Sequence, residues 1–387
     1  MRVERPLRIC LVYDCLFPHT VGGAERWYRN LAERLVAEGH EVTYLTLRQW
    51  DRGADPGVPG VDVRAVGPRM RLYAGPGRRR MWPPLVFGLG VLVHLLRHGR
   101  RYDVVHTASF PYFSLLAAGI ARRLGRYRLV VDWHEVWTRD YWGEYLGGIA
   151  GWVGWQIQRS CARVPQQAFC FSRLHTARLA GVGLRGEATT LPGEYAGPSQ
   201  AQRSGLVEPL VVFAGRHIPE KRVPAIVPAI AEARRTMPEL RALIIGDGPD
   251  RAEVLALVMK HGLGGAVQVP GFVPTPAVAD ALGRALCLVL PSRREGYGLV
   301  VIEAAAHGTP SVVVAGPDNA AVELIEESVN GYVAASASAE DLAAAIVRIH
   351  AAGPGLRATT AAWFERNARR LSLDGSLELA VDAYARD

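Results

Sequence analysis

Short apolar runs and helical periods alternate along most of the chain. "LRICLVYD" (7–14) is an apolar run of strand length, "GAERWYRNLAERLVAEGH" (23–40) repeats apolar residues at helical spacing, and "EVTYLTL" (41–47) returns to a strand. A βαβ opening is predicted. The rhythm recurs in "YDVVHT" (102–107), "SLLAAGIARRLG" (114–125), "YRLVVDWHE" (127–135) and "QAFCFS" (167–172). Strands apolar on both faces belong to parallel sheets covered by helices.

The period breaks between 191 and 209, where "LPGEYAGPSQAQRSGLVEP" is rich in Gly, Pro, Ser and Gln. This composition predicts a linker over 191–208. Alternation restarts with "LVVFAG" (210–215), "LRALIIGDG" (240–248), "AVQVPGFV" (266–273), "LCLVLPS" (286–292) and "PSVVVAG" (310–316). The expected class is α/β, with two doubly wound Rossmann-like domains, 1–190 and 209–365, facing a central cleft. Residues 366–387, ending in "LELAVDAYARD", are expected to form a helix packing back on the first domain. At 387 residues the chain is too long for one comfortable core, which agrees with two domains.

Composition narrows the setting. Apolar residues make up 49% and charged ones 21%, as in soluble globular proteins. The five cysteines (10, 15, 161, 170, 287) show neither CxxC pairs nor histidines at zinc-ligand spacing, so no metal site is expected. A reducing, cytoplasmic setting fits them. The opening "MRVERPLRICLVYD" lacks the long apolar region of a signal peptide. Net charge is +8 and unevenly placed: residues 1–190 hold 27 arginines against 15 acids. That asymmetry points to a solvated arginine-rich surface or to a negatively charged partner, an anionic membrane or nucleic acid. "MWPPLVFGLGVLVHLLRHGRR" (81–101) is too short and interrupted to span a bilayer. It reads as a helix buried in the first domain or as one lying on a membrane.

No G-x-G-x-x-G follows the first strand and no P-loop, zinc-finger or RRM pattern occurs, so dinucleotide, P-loop and nucleic-acid readings lose their main support. In open α/β sheets ligands bind beyond the carboxyl ends of the strands. The polar strings there are "FPHTVGGAER", "DWHEVW", "GRHIPEKRV", "GDGPD", "GFVPTP" and "SRREGYGLVVIE". In order and spacing they resemble the retaining glycosyltransferases of family four, of GT-B architecture, over nearly the whole chain. "GGAER", "AGRHIPEKRV", "LIIGDGP", "GFV" and the E-x7-E segment "EGYGLVVIEAAAHGTPSVVV" carry the resemblance.

The residues themselves fit such chemistry. Gly296 and Gly298 allow a tight turn after a strand, and a helix starting near Gly298 presents free N–H groups suited to a diphosphate. The resemblance implies that Glu303 holds the ribose and Glu295 the sugar hydroxyls, with Tyr297 and Leu299 beside them. It pairs Arg216 and Lys221 on the diphosphate, one as a planar fork and one as a point charge; no DxD metal motif is apparent. It also places Gly22 and Gly23 near a phosphate or the acceptor, His134 at the donor sugar, and backbone at Phe272 and Val273 beside the base. Glu135 stands where the family usually has Asp or Asn. His106 and His217 read as structural.

The implied reaction is retaining transfer from a nucleoside-diphosphate sugar, UDP before GDP, to a saccharide, lipid-linked or glycoconjugate hydroxyl by front-face displacement. No cofactor or metal is expected, and the implied setting is the cytoplasm, with peripheral membrane contact left open. Two other readings stay open: a nucleotide-sugar 2-epimerase of GT-B shape, and a basic protein binding nucleic acid or a membrane surface. The acceptor is expected on the first domain, where "WTRDYWGEYLGGIAGWVGW" carries four of the nine tryptophans.

Overall fold

A computed structural model describes residues 5–20, 22–51, 53–75, 78–80, 82–202, 205 and 207–385. The chain divides into two compact units, Met1–Leu191 with Ser376–Asp387, and Pro192–Gly375.

Among the described residues the first unit builds a seven-stranded parallel sheet from β1 (Arg8–Val12), β2 (Glu41–Leu47), β3 (Asp62–Gly67), β4 (Val104–Ala108), β5 (Arg128–Trp133), β6 (Gln166–Cys170) and β7 (Gly186–Thr190). Its order is β3-β2-β1-β4-β5-β6-β7. The chain winds outward from β1 one way and then the other, so the switch point lies between β1 and β4. Among the described residues six helices connect the strands: α1 (Gly23–Ala37), α2 (Trp82–His98), α3 (Phe113–Gly125), α4 (Arg139–Leu146), α5 (Gly148–Ala162) and α6 (Arg173–Gly181). α1 buries Trp27, Tyr28, Leu31, Ala32 and Leu35, a helical stripe against the sheet.

The 81–101 stretch becomes α2, with Phe87, Val91 and Leu95 in the core and the other side exposed. Each such side chain contributes about 1.5–3 kcal/mol on burial. Its glycines are contact points rather than interruptions. A Cβ on Gly88 would stand 2.6 Å from Phe113 Cβ of α3, and one on Gly90 1.9 Å from the Val66 carbonyl.

The second unit repeats the winding. β8 (Leu210–Ala214), β9 (Arg241–Ile245), β10 (Val267–Gly271), β11 (Cys287–Leu290), β12 (Ser311–Val314) and β13 (Gly331–Ala334) form a parallel sheet ordered β10-β9-β8-β11-β12-β13. Its helices are α7 (Ile226–Ala233), α8 (Arg251–Lys260), α9 (Thr275–Arg284), α10 (Leu299–Ala306) and α11 (Ala339–Leu371), the last broken at Gly353 before Pro354.

The segment read as a linker packs on the second unit. Gln202 N donates to Ala306 O (2.7 Å), Glu208 N to Arg284 O (2.8 Å) and Tyr195 N to Leu371 O (3.1 Å). Its Gly and Pro content signals irregular backbone, which is a different property from freedom. The tail also divides: α12 (Leu373–Ala385) begins in the second unit, and from Ser376 onward the chain belongs to the first. There the Tyr384 hydroxyl hydrogen-bonds His106 Nδ1, and the Arg128 guanidinium donates to the carbonyls of Ala383 and Tyr384.

Candidate functional site

In the second unit, loops at the carboxyl ends of β8, β11 and β12 are tied into one framework. Arg293 N donates to Glu220 O (2.8 Å), joining the loop after β11 to a 3₁₀ turn at Pro219–Lys221. Asn319 Nδ2 donates to Ser292 O (3.1 Å) and Val314 O (2.8 Å), and Asn319 Oδ1 accepts from Ala321 N (3.1 Å). Residues Arg294–Glu295 pair in parallel with Asp318–Asn319. Glu295 therefore sits on a short ladder beyond β11.

This framework unites two of the predicted residues. Lys221 Nζ and Glu295 Oε2 form a partly buried ion pair, and Ser292 Oγ donates to the same oxygen (3.2 Å). Beside them Arg222 occupies a left-handed conformation (φ +49°), a strained state for a residue with a Cβ that clusters at functional sites. Burial, and then the neighbouring Arg293 charge, lower the Arg222 pKa. Arg222 and Arg293 thus stand close enough for their charges to interact, on the two loops that the Arg293–Glu220 backbone bond joins. Arg216 stands exposed just past β8, with no carboxylate partner among the described residues.

Gly298 caps α10 at φ +99°, where an added Cβ would lie 2.8 Å from Ala321 Cβ. The helix begins at Leu299 because only glycine fits this turn. Its first-turn N–H groups are the donors that the sequence predicted for a phosphate. Tyr297 is otherwise committed: it is buried, its hydroxyl donates to Pro192 O, and burial pushes its phenol pKa up. Any contact from Tyr297 to a ligand is left to its backbone and that of Gly296. Glu303 lies half-buried in the second turn, near Tyr195, whose pKa is raised by burial and then by the Glu303 charge. Phe272, directly after β10, is 73% exposed, and Val273 is half-buried. His217 is buried against Phe213, its carbonyl accepting from Asp250 N (3.0 Å).

In the first unit the candidates surround the switch point. Gly22 is the extended N-cap residue of α1 (φ −169°), and Gly23 opens the helix with nothing within 4 Å of an added Cβ. At Gly22 the atoms nearest an added Cβ belong to the movable end of Glu25. Neither glycine is required by a left-handed backbone or by a backbone contact that an added Cβ would meet.

His134 follows β5 and stacks on Phe171 (4.5 Å, 10°). Its Nε2 is buried without a hydrogen-bond partner, and burial, outweighing the Asp132 charge, lowers its pKa. That nitrogen is open to a partner from outside the fold. Behind it, buried Asp132 accepts from Trp27 Nε1 of α1 (2.7 Å), and His106 Nε2 stands 2.8 Å from its other oxygen. Burial alone would raise the Asp132 pKa, but the His106 charge and hydrogen bond hold it below the usual carboxylate value. One carboxylate thus braces both α1, where the glycines stand, and the strand end bearing His134. Glu135 accepts from Trp137 Nε1 (2.8 Å), a local brace.

Sequence reasoning gave no role to Asp132 and Arg293, although both stand in its candidate strings, and left out Asn319 and Tyr384. A charge inside the apolar run "VVDW" was a visible signal for Asp132; the others depend on contacts distant in sequence. The aromatic string 137–155 is partly core, since Trp142 is buried and Gly154 lies against its ring. Trp152, by contrast, is 51% exposed.

Comparison with known proteins adds three kinds of likeness. A family model described as "Glycosyl transferase 4-like domain" matches residues 22–194, and one described as "Glycosyl transferases group 1" matches 199–369. A glycogen synthase of Mycobacterium tuberculosis is 28% identical over 88% of this chain and 85% of its own. Among solved structures, sucrose-phosphate synthase from Thermosynechococcus elongatus matches with a TM-score of 0.78 over 98% of each chain, at 21% identity. Anabaena HepE, solved with UDP and glucose, matches with a TM-score of 0.73 at 16% identity, over 98% of this chain and 100% of that one. The structural likenesses establish the fold.

Proposed function

This chain belongs to the family-four glycosyltransferases of GT-B architecture, and from that membership we propose that it moves a sugar from a nucleoside-diphosphate donor to a hydroxyl acceptor with retention of configuration. The observation that carries the proposal is the bonding of the loop holding Lys221 and Arg222 to the loop that runs through Arg293 and Glu295 into the N-terminus of α10. Departure of a diphosphate builds negative charge, and fixed cations with helix N–H donors stabilise it where it forms. Arg216, exposed after the same strand end, supplies the planar fork.

Glu303 holds the ribose and Glu295 the sugar hydroxyls, and the family resemblance assigns His134 to the donor sugar. The acceptor hydroxyl attacks the anomeric carbon on the side from which the diphosphate leaves, and a leaving phosphate oxygen takes its proton. The protein then works by positioning and charge stabilisation, with no side chain required as general base. The charge is carried by protein cations and no cofactor is invoked. UDP is the donor nucleotide adopted, in line with the nucleotide bound by HepE; GDP is its competitor. The acceptor belongs to the saccharide, lipid-linked or glycoconjugate class.

A thermal-shift series with UDP, GDP and ADP tests the nucleotide, because binding to the native state raises the melting point. Glu303→Ala is expected to weaken nucleotide binding at least about tenfold, and Lys221→Ala to reduce turnover at least about a hundredfold. Near-normal turnover in both variants would remove the site assignment. The anomeric configuration of the product, read by NMR, decides retention.

A further inference from the structure

Charge and apolar surface are sorted together on the first unit in a way that sugar transfer does not use. Residues 63–131 contain thirteen arginines and one acid, Asp103, and that acid pairs with Arg8 (3.1 Å). The same stretch forms α2 and α3. Their outward sides carry Trp82 (72% exposed), Leu85, Leu89 (63%) and Leu96 on α2, and Ile120 (60%) and Leu124 on α3.

These residues form one face. The helices lie side by side and run the same way, since Gly88 meets Phe113 at the start of α3 and Gly99 meets Gly125 at its end. Gly88 marks the flank of α2 toward α3, and Gly90, against Val66, marks the other. At about 100° per residue, Leu85, Leu89 and Leu96 fall between the outward pole and the α3 flank. Gly119 of α3 faces Val164, which turns Ile120 and Leu124 toward α2. The two stripes therefore adjoin. Where both helices end, Arg97, Arg100, Arg101, Arg123 and Arg126 are exposed.

We propose that this face docks on an anionic phospholipid surface. Apolar side chains enter the headgroup boundary while arginines at its edge pair with lipid phosphates, the arrangement of an interfacial helix. Among the described residues no helix is long and apolar enough to cross a membrane, so contact is from one side. A second copy of the chain is a poorer occupant, because a two-fold contact would set arginine against arginine with almost no carboxylate to balance them. Nucleic acid would leave the leucines unmatched.

The test is co-sedimentation of the full chain with vesicles of phosphatidylcholine alone or with about 30 mol% phosphatidylglycerol. Binding is expected to the anionic vesicles only, and to fall at least about tenfold in ~0.5 M salt, which screens surface charge. Each arginine is expected to matter about fivefold, so Arg97→Gln with Arg123→Gln should cost roughly twenty-fivefold. Leu89→Gln with Ile120→Gln should lose at least about tenfold. Unchanged nucleotide-induced thermal shifts in these variants would show that the fold and donor site persist, so failure here is separate from failure of the transfer reading. Absence of binding to anionic vesicles, or equal binding by all variants, overturns the proposal. So does concentration-dependent dimerisation abolished by Leu89→Gln with Ile120→Gln in the absence of lipid binding.

Discussion

Glu295 holds Lys221 in place, and the same carboxylate is the one proposed to contact the sugar. Glu295→Gln keeps the shape and removes the charge, leaving a partly buried ammonium without its partner. A stability loss of about 1–2 kcal/mol is expected, more than for an exposed ion pair. If Glu295 also meets the sugar, kcat falls at least about a hundredfold while nucleotide affinity changes less than about threefold. Denaturant unfolding and steady-state kinetics separate the two effects; a stability loss with unchanged kcat would confine Glu295 to bracing. At this scale the sequence revealed which residue types stand at the strand ends. It could not reveal that Lys221 and Glu295, 74 positions apart, meet each other, or that Arg293 adds a further cation, because such contacts depend on how separate loops are bonded.

Two glycines at helix starts make opposite predictions. Gly298→Ala forces a Cβ into a left-handed residue and against Ala321, and should cost about 1–3 kcal/mol, read by urea unfolding. Gly23→Ala meets open space and should leave stability within about 0.5 kcal/mol while lowering turnover, if a ligand approaches that backbone. Strongly reduced stability in Gly23→Ala would make that glycine structural. Strands and helices were legible because buried parallel strands such as Leu210–Ala214 and Cys287–Leu290 are apolar on both faces and α1 carries an unbroken stripe. The packing of the 191–208 segment was not legible for the converse reason: its bonds, such as Gln202 N to Ala306 O, leave no periodic trace.

For the whole molecule, several histidines are folded in a less basic state than their ordinary value. Burial lowers the pKa of His134, His40 and His217, and burial aided by the His98 charge takes His94 down to about 4. The unfolded chain binds more protons than the folded one below about pH 6.5, so stability should fall as pH drops from there toward 4. Asp132 has the other sign. Its lowered pKa contributes stability above about pH 4 that is lost only in stronger acid. Melting points measured from pH 8 to 4 should therefore stay level and then decline below about 6.5; a rise over that interval would contradict the burial of these rings. The tyrosine at the far end of α12 has its own practical consequence. Because Tyr384 hydrogen-bonds His106, which in turn meets Asp132, an amino-terminal fragment cut at 191 would uncover a polar pair that residues 376–385 seal. Anyone isolating that fragment must graft 376–385 back onto it, whereas shortening the carboxyl terminus would damage the half of the molecule that ribosomes make first.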